Sequence, residues 1–404
     1  MSRHDPLYDW THEVTTEFPH LSKPQAAVLA LWSFGIVLAH CCTLSAVANM
    51  LSPRIGRCYN TVRQRLREWY KPAADKAGEH RRQLEVTTCF APLLAWILKN
   101  WPSPRVALAL DATTLADRLT VLSLSLVYRG TAIPVAWKVL RGNQPHAWKP
   151  EWLKLLCWFD GQVDPTWTVT VMTDRGLYAR WLFQAIVTLG WHPMMRVTRV
   201  GKFQPEGWSR SPSFWQFVPR VGCTWQGRGV AFPRTSERRL ACTLLACWTE
   251  GHEDGWYVLT DLPAQAANVA WYGLRMWIEH GYGQFKSAGW QWQKTRITEP
   301  DRAGRMWLAI ALATFWVVAI GGQREHDERP QETVPELPAT DTHKRGPASP
   351  AGKRLVSVFL QGLAVIQALL SKGQLARPEK WYPEPWPGVE MIIQAREHEQ
   401  SSKR

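Results

Sequence analysis

Between residues 105 and 198 the apolar positions come in short runs separated by turn residues, a pattern that alternates strands with helices. Residues 106–110 form a continuous apolar run, and 167–172 are rich in β-branched residues; both read as buried central strands. Residues 120–128 and 132–140 predict two further strands, joined at Arg129-Gly130-Thr131 as a hairpin. Helices are expected over 149–159 and 178–189, and a strand over 191–197. Upstream, residues 22–100 read as helical, with helices at 24–39, 43–50 and 60–70. Downstream, 199–262 is rich in Gly, Pro, Arg and Trp, with strand-like runs at 240–248 and 255–260, and predicts an inserted β-rich subdomain. A helix over 300–320 follows. Residues 321–354 then hold almost no large apolar side chains and are expected to be a flexible linker. Beyond it, Leu355, Phe359, Leu363, Ile366 and Leu370 recur at helical spacing, which suits either packing onto the chain's own core or a self-association helix. Residues 381–389 are extended by their prolines.

The stretch 272–286 brings chemistry into this pattern. Read as one helix at about 100° per residue, it places Tyr272, Arg275, Glu279 and Lys286 on a stripe roughly 60° wide. Trp271, Leu274, Ile278 and Phe285 form an apolar stripe beside it. An amphipathic helix with a solvated, salt-bridged face would give the same pattern. Two upstream carboxylates change the weighting. Asp111 follows the run 106–110 and Asp174 follows the run 167–172, each at a strand's C-terminal end, where open α/β sheets keep their ligands. Either Asp alone reads as a turn or cap residue. Together with Glu279 they make a three-carboxylate cluster whose hard oxygens suit Mg²⁺ or Mn²⁺.

The order Asp111, Asp174, Glu279, with Tyr-(2)-Arg-(3)-Glu-(6)-Lys around the glutamate, resembles the DDE transposases of bacterial insertion sequences. More narrowly it resembles their insertion-sequence-four-like group, which carries the YREK signature, here Tyr272, Arg275, Glu279 and Lys286. The likeness spans about residues 105 to 321. Gly281 and Gly283 interrupt the signature, and each costs a helix interior roughly 1 kcal/mol relative to Ala, so a loose last turn before Lys286 is expected.

The resemblance implies an α/β protein with a ribonuclease H-like catalytic domain, interrupted by a β-rich insertion and flanked by an N-terminal helical domain and a C-terminal helical tail. The expected division is 1–104 helical and DNA-binding, 105–198 first catalytic part, 199–262 insertion, 263–321 second catalytic part, 322–354 linker, and 355–404 helix and tail. The chemistry implied is DNA end cleavage and strand transfer by phosphoryl transfer, with Asp111, Asp174 and Glu279 holding two Mg²⁺ ions (Mn²⁺ substituting). Arg275 and Lys286 would grip phosphates, and Tyr272 would hydrogen-bond a phosphate or stack. Partners implied are the transposon's terminal inverted repeats, target DNA and a second copy of the chain on paired ends. Arg63, Arg65 and Arg67, on the helix expected at 60–70, are candidates for end recognition, either as part of a helix-turn-helix or of an ordinary bundle.

Composition agrees with a nucleic-acid partner: 48 Lys and Arg against 34 Asp and Glu give a formal charge of +14. The 25 tryptophans are many; Trp208, Trp215, Trp225, Trp248 and Trp256 fall in the insertion, where most are expected to be core and at most one or two to stack on unpaired bases. Eight scattered cysteines without zinc spacing read as reduced, mostly buried thiols of a cytosolic protein; the resemblance implies a bacterial, nucleoid-associated one. The apolar runs 26–39 and 306–320 are shorter than the ~18 residues of a membrane span and read as buried helices; no membrane partner is expected. Two rival readings are a non-catalytic DNA-binding derivative of a transposase and a metal-dependent ribonuclease H-like nuclease.

Overall fold

The computed structural model describes residues 5–78, 82–142, 148–328 and 356–387. The N-terminal part is helical, as its patterning predicts: α1 (Pro6–Glu17), α2 (Lys23–Ala39), α3 (Leu44–Arg54), α4 (Tyr59–Tyr70) and α5 (Phe90–Leu98). α3 runs four residues past its expected end, through Pro53. The turn into α4 is therefore only residues 55–58, where Gly56 takes φ +60° at no steric cost. α4 buries Val62, Leu66 and Trp69 and leaves Arg65 and Arg67 exposed and Arg63 half-buried.

Nine strands among the described residues make one mixed sheet: β1 (Arg105–Leu115), β2 (Leu119–Tyr128), β3 (Thr131–Arg141), β4 (Thr168–Thr173), β5 (His192–Arg196), β6 (Phe203–Pro205), β7 (Thr224–Ala231), β8 (Leu240–Cys247) and β9 (Trp256–Thr260). Their order across the sheet is β3-β2-β1-β4-β5-β9-β8-β7-β6. β1, β4 and β5 run parallel and the other neighbours antiparallel. The crossover helices are α6 (Trp148–Cys157) and α7 (Arg180–Thr188). The β2–β3 hairpin turns at Arg129 and Gly130, both at positive φ (44° and 80°), the backbone of a type I′ turn that matches strand twist. The strands of 199–262 do not stand apart as a sheet of their own. β9 pairs with β5 (Met195 opposite Leu259), so β6–β9 extend the central sheet.

After β9 comes a tight 3-10 segment, Val269–Met276, then α8 (Trp277–Phe285), α9 (Pro300–Glu328) and α10 (Val358–Ser371). α9 continues eight residues beyond its expected end at 320, so 321–328 are helix rather than linker; residues 329–354 of the expected linker lie outside the described residues. By length and composition α9 is a candidate membrane span, with mean hydropathy 1.7, but its whole apolar window is buried inside the fold. The helix is the protein's central rod, packed on β3, α2 and α10.

α10 packs onto its own chain, the first of the two readings its pattern allowed: Val358, Phe359, Leu363, Ile366 and Leu370 are buried, while Leu355 lies outside the described residues. Two glycines allow its close approach to α9. A Cβ on Gly321 would run into the carbonyl of Val358, and one on Gly362 into that of Val317. The extended tail after α10 is also part of the core. Trp381 is buried against Tyr128, Trp101 and Phe315.

Candidate active site

Asp111 does not end its strand. β1 continues to Leu115 on β2, with Asp111 opposite Ser123, but the parallel pairing with β4 stops at Leu110 and Thr173. Asp111 is therefore the first residue of β1 that β4 no longer covers. Asp174 follows the last residue of β4, and its Oδ1 accepts the amides of Gly176 and Leu177 at 3.0 Å, a tight turn that leaves Oδ2 free to face inward. Glu279 stands in the first turn of α8.

These three acids meet at Arg275. Its Nη2 lies 2.8 Å from Asp111 Oδ2 and 4.0 Å from Asp174 Oδ2, and its Nη1 lies 3.4 Å from Glu279 Oε1. The Arg275 and Asp111 side chains are 9% and 13% exposed, those of Asp174 and Glu279 40% and 49%. The site is thus a half-open cup with its cation at the bottom. Burial pushes the Asp111 carboxyl up to about 6; Arg275 pulls it down, and Glu279 and Asp174 push it up. Burial also works against the charge of Arg275, yet Tyr272 and the three acids hold its pKa above the usual value.

The 272–286 stretch is not one α-helix, which corrects the helical-wheel geometry. Tyr272 and Arg275 belong to the 3-10 segment, where residues three apart eclipse and so still share a face. Glu279 follows on α8, one turn beyond Arg275. Tyr272, expected to hydrogen-bond a phosphate or stack, is engaged within the protein. It is buried, its hydroxyl donates to the Thr173 carbonyl at 3.1 Å, and burial pushes its pKa up to about 12. It braces the end of β4, one residue before Asp174. Arg275, expected on phosphate, is buried among the acids instead.

Lys286 is the cap residue after α8 and is half-buried; burial lowers its pKa, opposed by Glu279. α8 is helical through both glycines and ends at Phe285, so Lys286 stands just outside the helix. Gly281 lies against β3, where a Cβ would come within 3.1 Å of Ala132, and Gly283 faces open space. Of the five insertion tryptophans, Trp208 and Trp215 are exposed, Trp256 is buried, and Trp225 and Trp248 are partly buried.

Three residues near the cup carried no expectation from the sequence. Tyr282 of α8 shares a 2.7 Å hydrogen bond with Ser123, the cross-strand partner of Asp111. Arg196, at the end of β5, is a half-buried cation with Tyr272 and Arg275 among its electrostatic neighbours, and its pKa is lowered, chiefly by burial. Tyr282 lay one turn beyond Glu279 in a helical pattern, a signal available for it. Arg196 had only its position at a strand end.

Residues 122–316 match the family model of the transposase DDE domain. That match, just under half of the chain, supports a DDE transposase, an enzyme whose implied partner is DNA. Asp174 and Glu279 lie inside the matched DDE domain and Asp111 shortly before it. No curated protein matches the chain. DDE transposases generally use divalent metal ions. By donor chemistry the cup suits them, with three hard carboxylates against one guanidinium. Among the described residues, no three acidic, His or Cys groups are already gathered as a metal cage, because here the acids surround Arg275.

Proposed function

We propose that the protein is a DNA transposase of the insertion-sequence-four-like group, cutting transposon ends and joining them to target DNA. The observation that carries this reading is the convergence of Asp111, Asp174 and Glu279 on one guanidinium, from β1, the end of β4 and the start of α8. The sheet order β3-β2-β1-β4-β5, with an antiparallel hairpin and three parallel strands, supports a ribonuclease H-like catalytic core. β6–β9 then fill the interval before the YREK residues as an insertion that lengthens the same sheet.

In this reading Asp111, Asp174 and Glu279 hold divalent ions, Mg²⁺ or Mn²⁺, which supply charge stabilisation and an activated oxygen nucleophile for phosphoryl transfer. Tyr272 acts as a positioning residue, fixing Thr173 and with it Asp174. Arg275 neutralises the acid cup in the protein alone and is placed to turn to a phosphate once other cations share that load. Lys286 offers a point charge at the rim. Arg65 and Arg67, on the exposed face of α4, with Arg63 beside them, bind the terminal repeats after a four-residue turn of helix-turn-helix length. The protein works as a dimer on paired ends, with α10 committed to its own subunit.

The test is substitution of each acid. Asp111→Ala, Asp174→Ala and Glu279→Ala should each abolish Mg²⁺-dependent cleavage of an end-bearing DNA while end binding persists, since phosphate contacts do most of the positioning. Cleavage surviving in any one variant removes that residue from the site. Short inverted repeats flanking the gene are the companion expectation.

A further inference from the structure

Behind the turn that carries Asp174 lies a cavity of about 810 Å³, bounded by α7, the end of β5 and the 232–238 segment, with Lys149 of α6 beside it. Its lining includes four cationic side chains, Lys149, Arg175, Arg180 and Arg238, and one carboxylate, Glu237. Nothing in the chemistry proposed for the three acids uses it.

Two features besides the cations mark it as a place for an anion. α7 begins at Arg180 behind Ala179, which has no side chain to cap the first-turn amides. An uncapped helix start of this kind attracts phosphate. The Tyr178 hydroxyl and Arg180 Nε are buried without any hydrogen-bond partner. They are two of thirteen such side-chain atoms among the described residues, and these two belong to residues that line the cavity, where a ligand can meet their hydrogen-bonding need. The walls are aromatic as well: the Tyr178 and Phe232 rings lie 5.1 Å apart, and Lys149 Nζ sits 5.7 Å over Trp181. Arg180 Nη1 donates to the carbonyls of Ser236 and Glu237 at 3.2 and 3.4 Å, tying the 232–238 segment to α7. Both walls are thus anchored.

The shape selects the form of the anion. A duplex presents phosphates on a broad convex ridge, whereas rings recessed beside cations suit unpaired nucleotides, whose bases or sugars pack on the walls. We infer that this cavity holds a short unpaired stretch of DNA strand. Phosphates lie on Lys149, Arg175, Arg238 and the amino end of α7, and bases or sugars lie against Tyr178, Trp181 and Phe232. The inference rests on the reading of the protein as a DNA-acting enzyme, and it extends the site from the acid cup across the Asp174 turn.

The experiment uses the full chain in EDTA, so that it does not depend on metal or on cleavage. Fluorescence anisotropy would follow a labelled twelve-residue oligothymidine and a duplex of the same length. The parent should bind the oligothymidine. The double variant Lys149→Ala/Arg238→Ala, both sites exposed, should bind it at least tenfold more weakly, with a salt slope smaller by about 0.7 for each phosphate no longer neutralised. Its duplex affinity should change less and its melting temperature stay the same. Tyr178→Phe, which removes the orphaned hydroxyl without removing the ring, should also weaken the oligothymidine. The inference is overturned if the parent does not bind the oligothymidine, if the variants bind it as the parent does, or if both DNAs lose affinity equally. Wild-type cleavage in Mg²⁺ is scored separately. Cleavage with no oligothymidine effect removes only the cavity, whereas no cleavage with the effect intact removes the transposase reading.

Discussion

Arg275 Nη2 lies 2.8 Å from Asp111 Oδ2, a pairing between residues 164 positions apart, with both side chains largely withdrawn from water. A buried pair broken on one side leaves an uncompensated charge, at a cost of about 3–5 kcal/mol in well-buried cases. Here two further acids also lean on the guanidinium. Arg275→Ala should therefore lower the melting temperature in EDTA, and Mn²⁺ should restore more of it than it adds to the parent. Calorimetry with and without Mn²⁺ checks this. An equal metal increment in both proteins would mean that Arg275 is not the counter-charge of the cup.

The raised pKa of Asp111 sets a pH dependence whose sign follows from linkage. A carboxyl at about 6 when folded and near 3.8 when unfolded binds more protons in the folded state between those values. Its contribution to stability is therefore present below about pH 4 and lost as pH rises through 6. Melting temperatures of the metal-free parent, compared with Asp111→Asn, should show this loss in the parent only. Mn²⁺ binding should strengthen over the same window, because a cation competes with that proton. A flat difference between the two proteins from pH 4 to 7 would contradict the assignment.

Tyr272→Phe removes one hydrogen bond, to the Thr173 carbonyl, for a stability cost of about 1 kcal/mol. Because the residue acts through Asp174, Mn²⁺ affinity and cleavage should fall together, while the salt slope of end binding stays at the parent's value. A shallower slope with unchanged Mn²⁺ affinity would instead put the phenol on a phosphate.

Arg63, Arg65 and Arg67 should behave differently. Replacing all three with Ala should leave the fold intact, weaken binding of a terminal-repeat duplex, and reduce its salt slope by about 0.9 for each phosphate that the arginines had neutralised. If the slope holds, α4 is a bundle helix and end recognition lies elsewhere.

Deleting residues 353–404 would uncover the groove on α9 that α10 fills, together with the site of Trp381. The truncated protein should melt well below the parent and expose apolar surface to a hydrophobic dye. A truncation that melts like the parent would show α10 to be dispensable to this subunit and would reopen it as a pairing element.

Much of the fold could be read in the chain because local signals coincided with tertiary ones. The strand runs and the Arg129-Gly130 turn carry their own backbone preferences, and the two Asp residues follow apolar runs. Elsewhere the deciding information was not local. β1 extends through Asp111-Ala-Thr-Thr-Leu because β2 lies alongside, not because those residues form a strand pattern. α9 continues over a polar stretch because Gly321 admits α10 and Glu325 meets Arg129 from the hairpin. Tyr272 and Arg275 looked helical because three-residue spacing keeps one face in a 3-10 turn as well as in an α-helix. The alternation of β6–β9 was visible, but pairing of β9 with β5 is a choice of neighbour that no periodicity records. The acids could be found in the sequence; that Arg275 would stand among them could not.

The docking of the tail sets an order of assembly. Trp381 completes an aromatic cluster with Tyr128 of β2, and Trp386 lies against Trp271, the residue before Tyr272, with Arg105 at the start of β1 near both indoles. A segment made after every strand of the sheet therefore closes over the first strand and the turn that carries Arg275. A nascent chain can form its N-terminal helices and its hairpin early. The contacts of Trp386 with Trp271 and Arg105 are therefore made only after translation has passed residue 386, so a partly synthesised chain carries the three acids and Arg275 without this cover.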